Sequence, residues 1–221
     1  MNDLIQTITV YALPVIFAIT LHEAAHGFVA KYFGDATAYL QGRVTLNPFK
    51  HIDPVGTVLL PLGLAILSSL VGYGFVFGYA KPVPVQFANL RNPKRDMIWV
   101  ALAGPASNFI QAALWILLGY GLQAAHVSEP FFFEMAGAGV LVNAIIFAFN
   151  LLPIPPLDGG RILVGLLPTR ASIAYSRVEP YGFVIVLGLM FVVPGLVNAL
   201  WLSPVTGAMR MVLGVLFSPL T

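Results

Sequence analysis

Residues 4–30, LIQTITVYALPVIFAITLHEAAHGFVA, carry His22-Glu23-Ala24-Ala25-His26 near the end of one mostly apolar run. About 20 such residues cross a bilayer as a helix. At about 100° per residue, positions four apart lie on one helix face, so His22 and His26 can reach a single metal ion. Glu23 projects to the side, close enough to act on a water at that ion. Three ionisable groups this close together are costly inside a membrane helix unless they have a partner. Zinc suits imidazole and carboxylate donors in a tetrahedral site with one open position.

The rest of the chain agrees with a membrane setting. Of 221 residues, 58% are hydrophobic and only 9% charged, against about 25% charged in a soluble domain. Too few charges remain to cover a water-facing surface, so most of the chain faces lipid. The basic residues sit in short loops between apolar runs, which argues for membrane orientation and against a nucleic-acid surface. There is no cysteine, so neither a disulfide framework nor a thiol ligand is available. Residues 1–6 lack the basic region of a signal peptide and the first run lacks a small-residue cleavage site, so this run is expected to be retained.

Further apolar runs cover about 55–80, 97–124, 136–157 and 181–202, with a shorter stretch at 205–220 broken by Gly207, Arg210 and Gly214. The expected fold is an α-helical polytopic membrane protein. It has a three-helix catalytic core at about 4–165, about two further helices at about 178–221, and one domain over 1–221. Gly42, Val44-Thr45-Leu46 and Asn47-Pro48 suggest a small membrane-associated β-hairpin near 38–48. Basic residues mark the loops 31–53, 79–96 and 158–180 as cytoplasmic, while 125–135 and the N-terminus read as external. Run 55–80 is then flanked by basic loops on both sides. With Pro61, Gly63, Gly72, Gly74 and Gly78 it reads as a re-entrant hairpin, with an ordinary crossing as the alternative.

The two histidines need a third protein ligand. Asp3, Glu129 and Glu134 are placed outside, and Asp35, Asp53, Asp96 and Glu179 in loops. Asp158 instead follows Asn150-Leu151-Leu152-Pro153-Ile154-Pro155-Pro156-Leu157, where three prolines force the backbone out of regular helix. Unwound backbone within a membrane protein commonly lines a site. An even number of crossings between 27 and 97 brings Asp158 to the cytoplasmic side beside the histidines. His51 reads as a surface-loop histidine, His126 as a solvent-facing one, and Gly104 and Asn108 as a close-packing pair with a cross-helix hydrogen bond.

Three pieces, His22-Glu23-x-x-His26-Gly27, Gly104-Pro105-x-x-Asn108 and Asn150-x-x-Pro153-x-Pro155-x-Leu157-Asp158-Gly159, together resemble the site-2 protease family of intramembrane zinc metalloproteases. The likeness is to its compact bacterial and archaeal type without a PDZ or CBS domain. It implies one Zn2+ per chain, hydrolysis of transmembrane protein substrates within or near the bilayer, and a role for Asn150 in holding substrate or the developing oxyanion. From the residues alone, Asn150 could equally be a packing amide. A membrane zinc carrier or channel is the competing reading, and an inactive client-binding scaffold a third. Nothing in the sequence specifies substrate identity or oligomeric state.

Overall fold

The computed structural model describes residues 2–60, 62–64, 66, 78 and 80–217. Three long helices form its centre: α1 (Asn2–Tyr32), α2 (Pro93–Ala124) and α3 (Pro130–Asn150). Each packs against the other two. Their facing surfaces are built from small buried residues, among them Ala18, Ala24, Ala101, Ala112, Ala144 and Ala148. Lipid supplies no hydrophobic push between helices, so close backbone approach over small side chains holds them together.

Directions follow from the contacts. Gln6 near the start of α1 donates to Glu134 near the start of α3, so these two helices run parallel. His26 meets Val100 and Ala18 meets Asn108, so α2 runs antiparallel to α1. The end of α1, the start of α2 and the end of α3 therefore share one end of the bundle.

Beyond α3 the chain turns through 151–157, the part of run 136–157 where the prolines were expected to unwind the helix. It then forms α4 (Asp158–Leu166), α5 (Thr169–Ser176), α6 (Glu179–Val192) and α7 (Pro194–Phe217). The expected run 181–202 is split at Pro194. Its ring removes a backbone donor and opposes helix continuation, but suits a helix start. Of the stretch 205–220, expected to be short and broken, residues 205–217 instead complete α7, one of four helices among the described residues long and apolar enough to cross a membrane.

The β-hairpin near 38–48 is not supported. Thr37–Leu40 is a helical turn, Pro48–Lys50 a tighter one, and there is no strand among the described residues. Gly42, with φ +63, ends the first turn: its N–H bonds Tyr39 O at 2.9 Å and the Arg43 N–H bonds Ala38 O at 2.9 Å. That pair of bonds is a helix C-terminal motif built on a left-handed glycine, and it outcompetes a hairpin turn at the same residue.

The proposed re-entrant hairpin at 55–80 lies largely outside the described residues. Its two flanks do meet, since Lys81 N–H bonds His51 O at 2.8 Å. His51, expected on the surface, is buried, with Nε2 3.0 Å from Thr45 O. Two acids expected in loops, Asp35 and Asp96, are buried too, and Glu179 opens α6.

Candidate metal centre

α1 brings His22 and His26 onto one face, and α4 brings Asp158 to meet them. His22 Nε2 lies 3.1 Å from His26 Nε2 and 3.2 Å from Asp158 Oδ2, and His26 Nε2 lies 3.4 Å from the same oxygen. The sequence expected these three residues to share a site, and the fold brings them together.

The protons on both rings can be assigned. His22 Nδ1 faces Asn108 Oδ1 at 2.6 Å, and His26 Nδ1 faces Val100 O at 2.7 Å. Asn108 Nδ2 is committed to Ala18 O and Asn143 Oδ1, so its oxygen is what His22 meets. Both Nδ1 atoms therefore donate, and both Nε2 lone pairs point at one another and at a carboxylate. With both rings neutral, three electron-rich atoms converge: the two Nε2 atoms and Asp158 Oδ2, which has no donor besides these rings. Such a cluster is repulsive by itself and favourable around a cation.

Size agrees as well. A tetrahedral ion with N and O ligands at about 2.0–2.1 Å spaces them by about 3.3 Å, which matches the three edges above. Gly104 of α2 keeps the place open, since a Cβ there would collide with the Nε2 atoms of both histidines. The donor set and its spacing fit zinc, with room for a fourth ligand.

Glu23 opens on the same cavity, of about 750 Å³, whose lining includes His22, His26, Asn150, Asp158 and Val83. Its Oε2 accepts the Val83 N–H at 2.7 Å. Asn150 stands on this lining with Nδ2 donating to Ile146 O at 3.1 Å within its own helix.

Two contributors escaped the sequence reading. Asn143 supports Asn108 and itself donates to Gly139 O at 2.9 Å. A lone amide in an apolar run, seven residues before Asn150 and so on a similar face, was the available signal. The Val100 carbonyl left no signal, because any residue supplies one. Asn108 does make the expected cross-helix bonds, and it also orients a histidine.

Comparison with known proteins gives concordant matches. The model for peptidase family M50 matches residues 122–193, a stretch that holds Asp158 but not the histidines. The chain is 37% identical over 194 residues to YwhC of Bacillus subtilis (strain 168), a provisionally named zinc metalloprotease, covering 86% of this chain and 83% of that protein. It is 35% identical over 178 residues to the similarly named Rip2 of Mycolicibacterium smegmatis, covering 79% of this chain and 64% of that one. Against zinc metalloprotease MJ0392 of Methanocaldococcus jannaschii the identity is 23% over 170 residues, with 77% and 38% covered. No solved structure matches significantly.

Proposed function

The chain belongs to peptidase family M50, the site-2 protease family of intramembrane zinc metalloproteases, and we propose that His22, His26 and Asp158 hold its zinc while Glu23 is the general base. The observation that carries the ligand assignment is the convergence of two Nε2 atoms and a carboxylate oxygen within 3.4 Å of one another, with both Nδ1 atoms held by other acceptors. Residues 1–221 act as a single membrane-embedded domain in this reading.

Zinc supplies Lewis acidity, lowering the pKa of water to about 7 and polarising a carbonyl. The protein does the rest. Asn108 and the Val100 carbonyl lock the imidazoles in the tautomer that presents Nε2. The Val83 N–H occupies Glu23 Oε2, leaving Oε1 to take a proton from the attacking water and pass it to the leaving amine. Asn150, on the same lining, supplies an amide toward substrate or the developing oxyanion. The mostly apolar walls suit the side chains of a transmembrane substrate.

A substrate helix hides its peptide bonds in its own hydrogen bonds, so it must unwind to be cut. With no strand among the described residues, the hairpin expected near 38–48 supplies no sheet edge on which a substrate could be held unwound. Pro82, Val83 and Val85 line the cavity, and their apolar side chains offer a surface for those of a substrate.

The basic loops share the end of the bundle that holds the site, which supports catalysis at the cytoplasmic side of the membrane. A zinc carrier is not favoured, since it does not need Glu23 beside the ligands and the relatives are named as metalloproteases.

Glu23→Gln tests the scheme. Zinc content of the purified protein should be unchanged while cleavage of a single-span membrane substrate falls by roughly 10²–10⁴-fold. Undiminished cleavage, or cleavage by metal-free protein, refutes it.

A further inference from the structure

Residues 34–43, of which 34–37 read from sequence as loop and 38–43 as part of a hairpin, have no place in the scheme above. Yet they contain two buried charges, Asp35 and Arg43. Neither lies within reach of the metal ligands, and both end on the same stretch of backbone. Arg43 Nη2 donates to Lys81 O at 2.9 Å and to Pro82 O at 3.3 Å. Asp35 Oδ2 accepts the Gln86 N–H at 2.7 Å. Between those anchors, Val83 N–H donates to Glu23.

We propose that Asp35 and Arg43 are positioning residues for peptide hydrolysis: they fix residues 81–86 at both ends, and through the Val83 N–H that segment aims Glu23. The inference rests on Glu23 being the base.

The chemistry of the anchors fits this role. Pro82 and Pro84 have no N–H to give, so the segment cannot be held by an ordinary backbone ladder. Carbonyls near one end must find a donor, and Arg43 offers a planar fork with several. An amide at the other end must find an acceptor, and a carboxylate is the strongest available. Thr37 N, at 3.0 Å, and Thr37 Oγ1 also donate to Asp35 Oδ1, which keeps the carboxylate from rotating away. Burial alone would raise its carboxyl, but the hydrogen bonds from Thr37, Gln86 and Asn89 outweigh burial and hold it below the ordinary aspartate value near 3.8. Among the described residues Glu23 accepts no other hydrogen bond, so a segment free to drift would let its carboxylate drift with it.

The experiment uses the full zinc-loaded chain in detergent, with a synthetic single-span peptide that the wild type cleaves. Asp35→Asn and Arg43→Gln should each lower kcat by roughly 10- to 100-fold, the loss expected when a reacting group is misplaced by about 1 Å. KM should move far less, and zinc content should stay at the wild-type level. Hydrogen exchange should quicken in 81–86 and stay unchanged in α1, α2 and α3. Arg43→Lys, which keeps a donor and the charge, should recover most of kcat. Should Asp35→Asn fail to accumulate, the two Arg43 variants decide alone. Wild-type kcat in these variants, exchange unaltered in 81–86, or Arg43→Lys as impaired as Arg43→Gln overturns the proposal. If instead Glu23→Gln cleaves as well as wild type, the underlying reading of the site fails, and that result is separate.

Discussion

At the residue scale, the site is a matter of which atoms carry protons. A histidine four residues from another is only a geometric opportunity. Asn108 gives it direction by holding the His22 proton on Nδ1, which leaves Nε2 facing His26 and Asp158, and Asn143 turns Asn108 the right way round. Outer partners of this kind typically contribute 10–100-fold to metal affinity. Asn108→Ala should therefore weaken zinc binding by about that factor, measured by competition with a calibrated chelator, while the helices remain intact by circular dichroism. Unchanged affinity would mean that His22 is oriented by packing alone. The amide was legible in the sequence as a polar residue in a span. Its partner ring was not, because residues 86 positions apart meet only in the fold.

At the element scale, the decisive event is where α3 stops. Three prolines at 153, 155 and 156 end it and let Asp158 begin a new helix at the level of the histidines. A helix end leaves carbonyls without partners. Leu151 N–H takes Phe147 O and Leu152 N–H takes Phe149 O, so Ala148 O lacks a donor from its own helix end. Trp201 of α7 supplies one from Nε1 at 2.9 Å. Trp201→Phe keeps an aromatic side chain, though a smaller one, and removes the donor. It should cost about 1 kcal/mol, seen as a lower thermal midpoint in detergent with zinc still bound. An unmoved midpoint would show that packing of Met190, Val197 and Leu152 holds α7 without the bond. The helix stop was legible, because proline chemistry is local. The hairpin misreading at 38–48 has the same origin in reverse: Gly42 serves equally well in a β-turn or a helix end, and only neighbouring hydrogen bonds choose.

At the scale of the whole molecule, direction matters more than any single contact. Parallel α1 and α3, with antiparallel α2, put the ends of α1 and α3 and the start of α2 on one level. The basic loops at that level carry the proposal that it faces the cytoplasm. Since the natural chain has no cysteine, single cysteines report sidedness without background. In intact cells, a membrane-impermeant thiol reagent should label a cysteine placed at Glu129. It should reach cysteines placed at Lys50 or Arg170 only after permeabilisation. The opposite pattern would invert the protein and move the site to the outer face.

The sequence by itself determined the membrane setting, the helix face shared by His22 and His26 and the choice of Asp158 as the acid to meet them, because each rests on spacing, polarity or proline geometry within a few turns of chain. Only the tertiary structure decided the tautomers of the two histidines, the attachment of Glu23 to the Val83 amide, and the clamp of Asp35 and Arg43 on residues 81–86. Those depend on backbone carbonyls and amides, which every residue carries alike. No pattern of side chains can mark them until the chain has brought its distant segments together.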